Sequence, residues 1–230
     1  MKILSAHQPN FIPWAGFFLK IIESDLFVFS DDCLYSKQQL INRVYFNDRN
    51  NQNFLVSLPI DRKFGKRIFE KKFAANKNII VNKLINRLLD EYKKTEYFSE
   101  FKGIIINIQD ILLNENYLSN SNISIIKLIC NKLDIELNYR LGSEMGLQKY
   151  SSNERLLFRS KSLGIMHYLY GKGTSEYQDD KYLIENGMVL KEISYDKLKY
   201  FGNNKQFSIM HLIANYGIRK TSSILLYGGE

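Results

Sequence analysis

The chain has 230 residues, 45% of them apolar, with 15 Tyr, 15 Phe and a net charge of +8. That length suits one compact unit with a real core, and that apolar share excludes intrinsic disorder. No apolar run approaches the roughly 18 residues that cross a bilayer, and the polar start Ser5-Ala-His-Gln-Pro9 is unlike a secretion signal, so a cytoplasmic location is expected.

In chain order, Met1 to Ala6 reads as a strand, His7 to Asn10 as a turn-rich loop, Pro13 to Glu23 as an amphipathic helix with Pro13 in its first turn, and Asp25 to Phe29 as a second strand. This βαβ unit predicts an α/β fold with a partly parallel sheet. Phe54 to Pro59 reads as a strand. Residues 79 to 101, 104 to 116 and 123 to 133 read as helices, with a Ser-Asn turn at 119 to 122. This helical middle, about 79 to 133, is a candidate inserted subdomain of an otherwise single domain. Glu136 to Leu141 alternates like a strand, and Ser151 to Glu154 resembles a capping box opening a helix from 152 to 163. Then follow a strand at 167 to 170, a Gly171-Lys-Gly173 turn, a short helix at 177 to 186, a strand at 188 to 193, and a terminal helix from 207 closed at Gly217.

Cys33 and Cys130 lack a CxxC partner, and the three histidines have no metal-ligand spacing, so no disulfide framework and no metal site are read. Residues 61 to 77 hold seven Lys or Arg against two acids, a net +5. That density suits an anionic partner, such as a nucleotide sugar or an acidic carrier protein, and a solvated basic loop explains it equally. No recognition motif accompanies the charge, so nucleic acid is not expected.

Chemistry is expected where strands end, because open α/β sheets bind ligands at the carboxyl edge. His7 lies there and can act as a general base or a phosphate contact. Asp31 and Asp32 follow the second strand and could orient an imidazole, bind a sugar hydroxyl or hold Mg²⁺, although Asp also caps helices. Lys37 and Arg43 could neutralise a phosphate while Asn42 reads a sugar or base edge, and solvated charges explain them as well. Cys33 beside two carboxylates is expected to pack and not to react. Tyr170-Gly-Lys-Gly173, with Tyr177, has a strand, glycine turn and helix layout that can face an anion. It lacks the spacing of the dinucleotide and Walker motifs, and a plain turn explains it as well. His167 and His211 are expected to be structural.

The run Ala6-His-Gln-Pro-Asn-Phe-Ile-Pro-Trp-Ala-Gly16, with Lys20, Ser24-Asp25, Phe27-Val-Phe29, Asp31-Asp32, Lys37 and Asn42-Arg43, resembles the N-terminal signature of the WbqC-like family. Glu154-Arg-Leu-Leu157, Leu163-Gly164, Tyr168-Leu169, Gly171, Tyr177, Gly187, Ser208-Ile209 and Asn215-Tyr-Gly217 resemble its C-terminal pattern. The family commonly has an apolar residue at Cys33 and an acidic one at His211. The resemblance implies a part in making O-antigen or related surface glycans, by acyl or aminoacyl transfer to an amino sugar carried on a nucleotide. An acyl-CoA or an acidic acyl carrier protein would be the donor, with no tightly bound cofactor. His7 would take the amine proton, Asp31 or Asp32 would hold His7 in the right tautomer or hydrogen-bond the sugar, and Lys37, Asn42 and Arg43 would stabilise phosphate or oxyanion. Gln8, Asn10, Trp14, Tyr170, Gly171 and Tyr177 are assigned to substrate binding.

The opening also resembles adenylate-forming ligases and nucleotidyltransferases, which carry His-x-Gly-His where this chain has His7-Gln-Pro-Asn10. That implies, as an alternative, an ATP- and Mg²⁺-dependent amide ligase. A non-catalytic glycan or carrier-protein binding module is the third class. The aromatic content leaves room for a homodimer.

Overall fold

The computed structural model of the chain describes residues 1–50, 52–174 and 178–229. A five-stranded parallel sheet is built from β1 (Ile3–His7), β2 (Leu26–Phe29), β5 (Tyr139–Leu141), β6 (His167–Tyr170) and β7 (Val189–Glu192), in the order β5-β2-β1-β6-β7. The remaining strands, β3 (Arg43–Asn47) and β4 (Asn53–Ser57), form a separate antiparallel hairpin. The α/β class and the βαβ opening, with α1 (Ala15–Ile22) between β1 and β2, are as expected.

Parallel strands covered on both faces are apolar on both, and here successive residues feed two cores. Phe27 and Phe29 of β2 enter a large core, while Leu26 and Val28 enter a smaller one with Leu4 and Ala6 of β1. The smaller core is closed by α5 (Ser152–Leu163) through Leu157 and α6 (Asp180–Glu185) through Leu183. The large core takes in α1, α7 (Ile209–Tyr227) and the helical middle. The middle consists of α2 (Lys77–Tyr92), α3 (Phe98–Asn114) and α4 (Leu118–Lys132). Ile85, Ile105 and Ile126 of those three helices lie in one cluster with Phe27 and Phe29, so their apolar stripes close on the sheet's own core.

Several boundaries differ from expectation. Residues 98 to 101 open α3 and do not end α2, because the break falls at 93–97. The turn expected at 119 to 122 lies inside α4, where Ser119, Ser121 and Asn122 are buried. Polar residues there look like a loop locally. Asn122 is instead spent on tertiary bonds, its Nδ2 donating to the carbonyls of Pro9 and Ile41 at 2.7 Å each. Pro13 precedes α1, whose N-cap is Trp14. β3 was not anticipated. Gly217 does interrupt the last helix (φ 76°, ψ 164°), where a Cβ would meet the Tyr97 ring at 2.6 Å, but helical turns resume to Tyr227. The capping box of α5 forms, with Ser151 accepting from Glu154 N and the Glu154 carboxylate accepting from Ser151 N. Among the described residues, no helix is long and apolar enough to cross a membrane.

Candidate functional site

The chain runs outward from β1 to β2 and β5, then returns to the other flank of β1 with β6 and β7. The direction of winding therefore reverses between β1 and β6, and a crevice opens at the carboxyl ends of strands at such a reversal. A cleft of about 750 Å³ lies there. His7 closes β1, Ser30 follows β2 and Gly171 follows β6, and all three line it. A smaller cavity of about 370 Å³ sits by Lys2, Asp25 and Gly164. It lies at the amino edge, away from the place where such sheets bind ligands.

The loop from His7 to Trp14 is held by buried bonds. Asn122 grips the Pro9 carbonyl, Ser208 Oγ donates to the Ile12 carbonyl at 3.1 Å, and Ile209 N donates to Pro13 O at 2.9 Å. Ile12 is fully buried at φ 41°, a left-handed conformation that is costly for a β-branched residue. The strain is retained in the segment that aims His7 and Trp14 into the cleft. Trp14 packs against Tyr195 with ring centroids 5.1 Å apart. Gly16 lets the indole lie on α1, since a Cβ there would fall 2.2 Å from the ring. At Gly171 a Cβ would come 2.9 Å from the Tyr195 hydroxyl.

His7 pairs Nδ1 with the Gln8 carbonyl at 2.9 Å. A carbonyl only accepts, so Nδ1 carries the proton and Nε2 of the neutral ring is an acceptor. Burial, and then the charge of Lys20, lower its pKa to about 4, so the ring is neutral at pH 7. Lys20 is 4% exposed and gives its ammonium to the Ala6 carbonyl at 2.9 Å. Burial lowers its pKa to about 8.

Across the cleft stands the first turn of α5, with Ser152, Asn153 and Arg155 on the lining and Arg159 one turn below. Helix N-termini carry partial positive charge, and the two arginines, four residues apart, share a face. Both are held from behind by Asp32, which is wholly buried, at 3.4 Å to Arg155 and 3.3 Å to Arg159. Arg159 also donates to Ser30 Oγ at 2.9 Å. At Gly142 a Cβ would lie 2.4 Å from Asp32 Oδ1, so glycine there admits the carboxylate. Among the described residues the lining includes Lys20, Arg155 and Arg159 and no Asp or Glu.

Of the residues singled out in the sequence, the fold brings His7, Gln8, Asn10, Trp14 and Gly171 together on this lining. Asp31 and Asp32 lie behind the wall. The Asp31 carboxylate accepts from Ser143 N and Oγ at 2.8 and 2.7 Å, and burial raises its pKa. Neither acid orients His7, whose Nδ1 is taken by Gln8. Lys37 is exposed off the cleft, and Asn42 is a fold residue, donating to Leu58 O and accepting from Tyr35 Oη. Arg43 opens β3 away from the lining, Tyr170 packs against the smaller core, and Tyr177 is outside the described residues. No group of three or more His, Cys, Asp or Glu side chains that could hold a metal occurs among the described residues. Cys33 edges the cleft with its thiol pKa raised, first by burial and then by Asp32.

The basic segment divides. Arg67 donates to the carbonyls of Asp32 and Gln148, Lys71 to those of Phe64 and Gly65, and Lys77 to those of Leu113 and Glu115. These three tie loops, and none of the seven cations lines the cleft. Lys20, Arg155, Arg159 and Tyr195 were not anticipated as site residues. The repeat of Arg at i and i+4 after a capping box was the available signal for two of them.

His211 is buried, with Tyr92 Oη 2.7 Å from its Nδ1, and burial lowers its pKa to about 4, as it does for His7. Between about pH 4 and the ordinary 6.5 the unfolded chain binds protons that the folded chain refuses. Stability is therefore lost as pH falls through that window. In urea titrations at pH 7 and pH 4.5, His211→Gln is expected to shrink the acid loss relative to wild type. An unchanged loss would refute the assignment.

A model of the WbqC-like protein family matches residues 8–223. An uncharacterized protein of Mycobacterium tuberculosis is 25% identical over 226 residues, covering 94% of this chain and 95% of the relative. No solved structure matches the chain.

Proposed function

The chain belongs to the WbqC-like protein family, and from its cleft we propose that it transfers an acyl or aminoacyl group to a nucleotide-linked amino sugar in the building of a bacterial surface glycan. The observation that carries this reading is the cleft lining, cationic at Arg155 and Arg159 and free of carboxylates among the described residues. Such a lining selects a ligand with concentrated negative charge, and a diphosphate fits the first turn of α5 beside a guanidinium. The Trp14 and Tyr195 rings offer a flat apolar face to a base or a sugar. His7 Nε2, aimed from the end of β1, accepts a hydrogen bond from the amino group to be acylated. The donor thioester would be carried by coenzyme A or by an acidic carrier protein.

Purified protein would be incubated with nucleotide-linked amino sugars, in one arm with acyl thioesters and in the other with ATP, Mg²⁺ and free amino or hydroxy acids, and the products read by mass spectrometry. Amide in the thioester arm is the expected result. Product only with ATP would replace transfer by ligation, and ligand binding without product in either arm would leave a recognition module.

A further inference from the structure

Three lysines are buried among the described residues: Lys20, Lys71 and Lys77. Lys71 and Lys77 each give two hydrogen bonds to backbone carbonyls, and neither lines the cleft. Lys20 differs in both respects. It gives one hydrogen bond, to Ala6 O, so two of its donor positions are unspent, and it lines the cleft beside His7. It enters none of the ion pairs among the described residues. An ammonium buried without a counter-charge carries a heavy desolvation cost. Holding α1 to the end of β1 does not require that charge, since a neutral donor would reach the same carbonyl.

We infer that Lys20 is the proton-accepting amine of the cleft, taking the proton of the acceptor sugar's attacking amine, an inference that rests on the acyl-transfer reading above. In that step the sugar nitrogen attacks the thioester carbonyl carbon and the C–N bond forms. Its surplus proton passes to the free amine of Lys20. The carbon–oxygen double bond then re-forms as the C–S bond breaks, and the Lys20 ammonium returns the proton to the leaving thiolate. Amide and thiol are the products, and Lys20 is regenerated.

The division of labour with His7 follows from their surroundings. His7, held at about 4, is too weak a base to keep a proton near neutrality. A base is most effective with a pKa near the working pH, and burial brings Lys20 down to about 8. Among the described residues, the titratable or charged side chains sharing the lining are His7 on β1, Cys33 after β2, Arg155 and Arg159 on α5, Tyr168 on β6 and Tyr195 after β7. Glu23, the C-cap of α1, faces Lys191 at 4.0 Å. Among the described residues, no carboxylate on the lining opposes the shift.

Two measurements test this. Competitive trace acetylation of the native protein with acetic anhydride, read by peptide mass spectrometry from pH 6 to 11, reports the titration of each lysine without any turnover. Lys20 is expected to titrate near pH 8, well below the roughly 10.4 of a free lysine side chain. In the acyl-transfer assay, Lys20→Arg keeps a cation and a donor to Ala6 O but cannot give up its proton. It is expected to lower kcat by about 10²- to 10³-fold, as Lys20→Met does, with KM for the sugar nucleotide changed far less. Lys20 titrating with the exposed lysines, or turnover rescued by Lys20→Arg, would overturn the inference whatever reaction the cleft runs. Lys20 titrating near pH 8 in a protein that transfers no acyl group would leave the cleft base standing and remove the reaction assigned to it.

Discussion

Replacing Asp32 by alanine is expected to lower the unfolding free energy by about 3 to 5 kcal/mol, the usual cost of stripping one partner from a buried ion pair. Asp32 is fully buried and faces Arg155 at 3.4 Å and Arg159 at 3.3 Å. Its removal strands two guanidiniums in a largely dry wall, with Arg159 itself 4% exposed. The side chains would then swing toward water, which means into the cleft, so ligand affinity should fall together with stability. Asp32→Asn keeps the shape and loses the charge, and its loss should be smaller. Urea denaturation of the three proteins at pH 7 measures the series. A loss under about 1 kcal/mol for Asp32→Ala, the range of exposed pairs, would mean that the arginines are already solvated.

Asn122→Ala is the second large effect, expected to cost about 2 to 4 kcal/mol because it leaves two buried carbonyls without a donor. Both bonds are 2.7 Å long, and they join α4 to the loop after β1 and to the chain entering β3. The consequence reaches beyond stability. Pro9 sits between His7 and Trp14, so freeing its carbonyl releases the loop that directs both into the cleft. Denaturation midpoints and the emission maximum of Trp14, the only tryptophan in the chain, would be read together. An unshifted spectrum with full stability would show that other contacts hold the loop.

These two residues also mark where sequence reasoning reached and where it stopped. The βαβ opening was legible because a short apolar run, an amphipathic stretch and a second apolar run follow one another within thirty residues. That opening put His7 at a strand end, and the Gly171 turn was legible for the same reason. Whether the two loops meet depends on β6 lying against β1, which is a matter of strand order and not of local pattern. Asn122 looked like a turn residue because its partners are more than eighty residues away. Asp32 looked like a candidate for chemistry because a carboxylate after a strand is exposed by default, and the arginines that bury it come from α5. The basic run at 61 to 77 looked like one patch, yet carbonyls of distant segments take up Arg67 and Lys77, and Lys71 is spent on the run's own Phe64 and Gly65 carbonyls. Lys20 entered the sequence reading only through the family resemblance, because its burial depends on α1 packing against the end of β1, where it meets the Ala6 carbonyl and lines the cleft.

The central claim is that the cleft between β1 and β6 binds a nucleoside diphosphate amino sugar through its cationic wall. Titrating the native protein with such a compound while following Trp14 fluorescence tests it most directly, with Arg155→Met and Gly16→Ala as the comparison proteins. The account predicts a saturable change in the native protein, weakened by Arg155→Met through loss of a charge-assisted contact. Gly16→Ala should weaken it too, because the added methyl displaces the indole. A native protein whose emission does not respond, or a response equal in all three proteins, would contradict it.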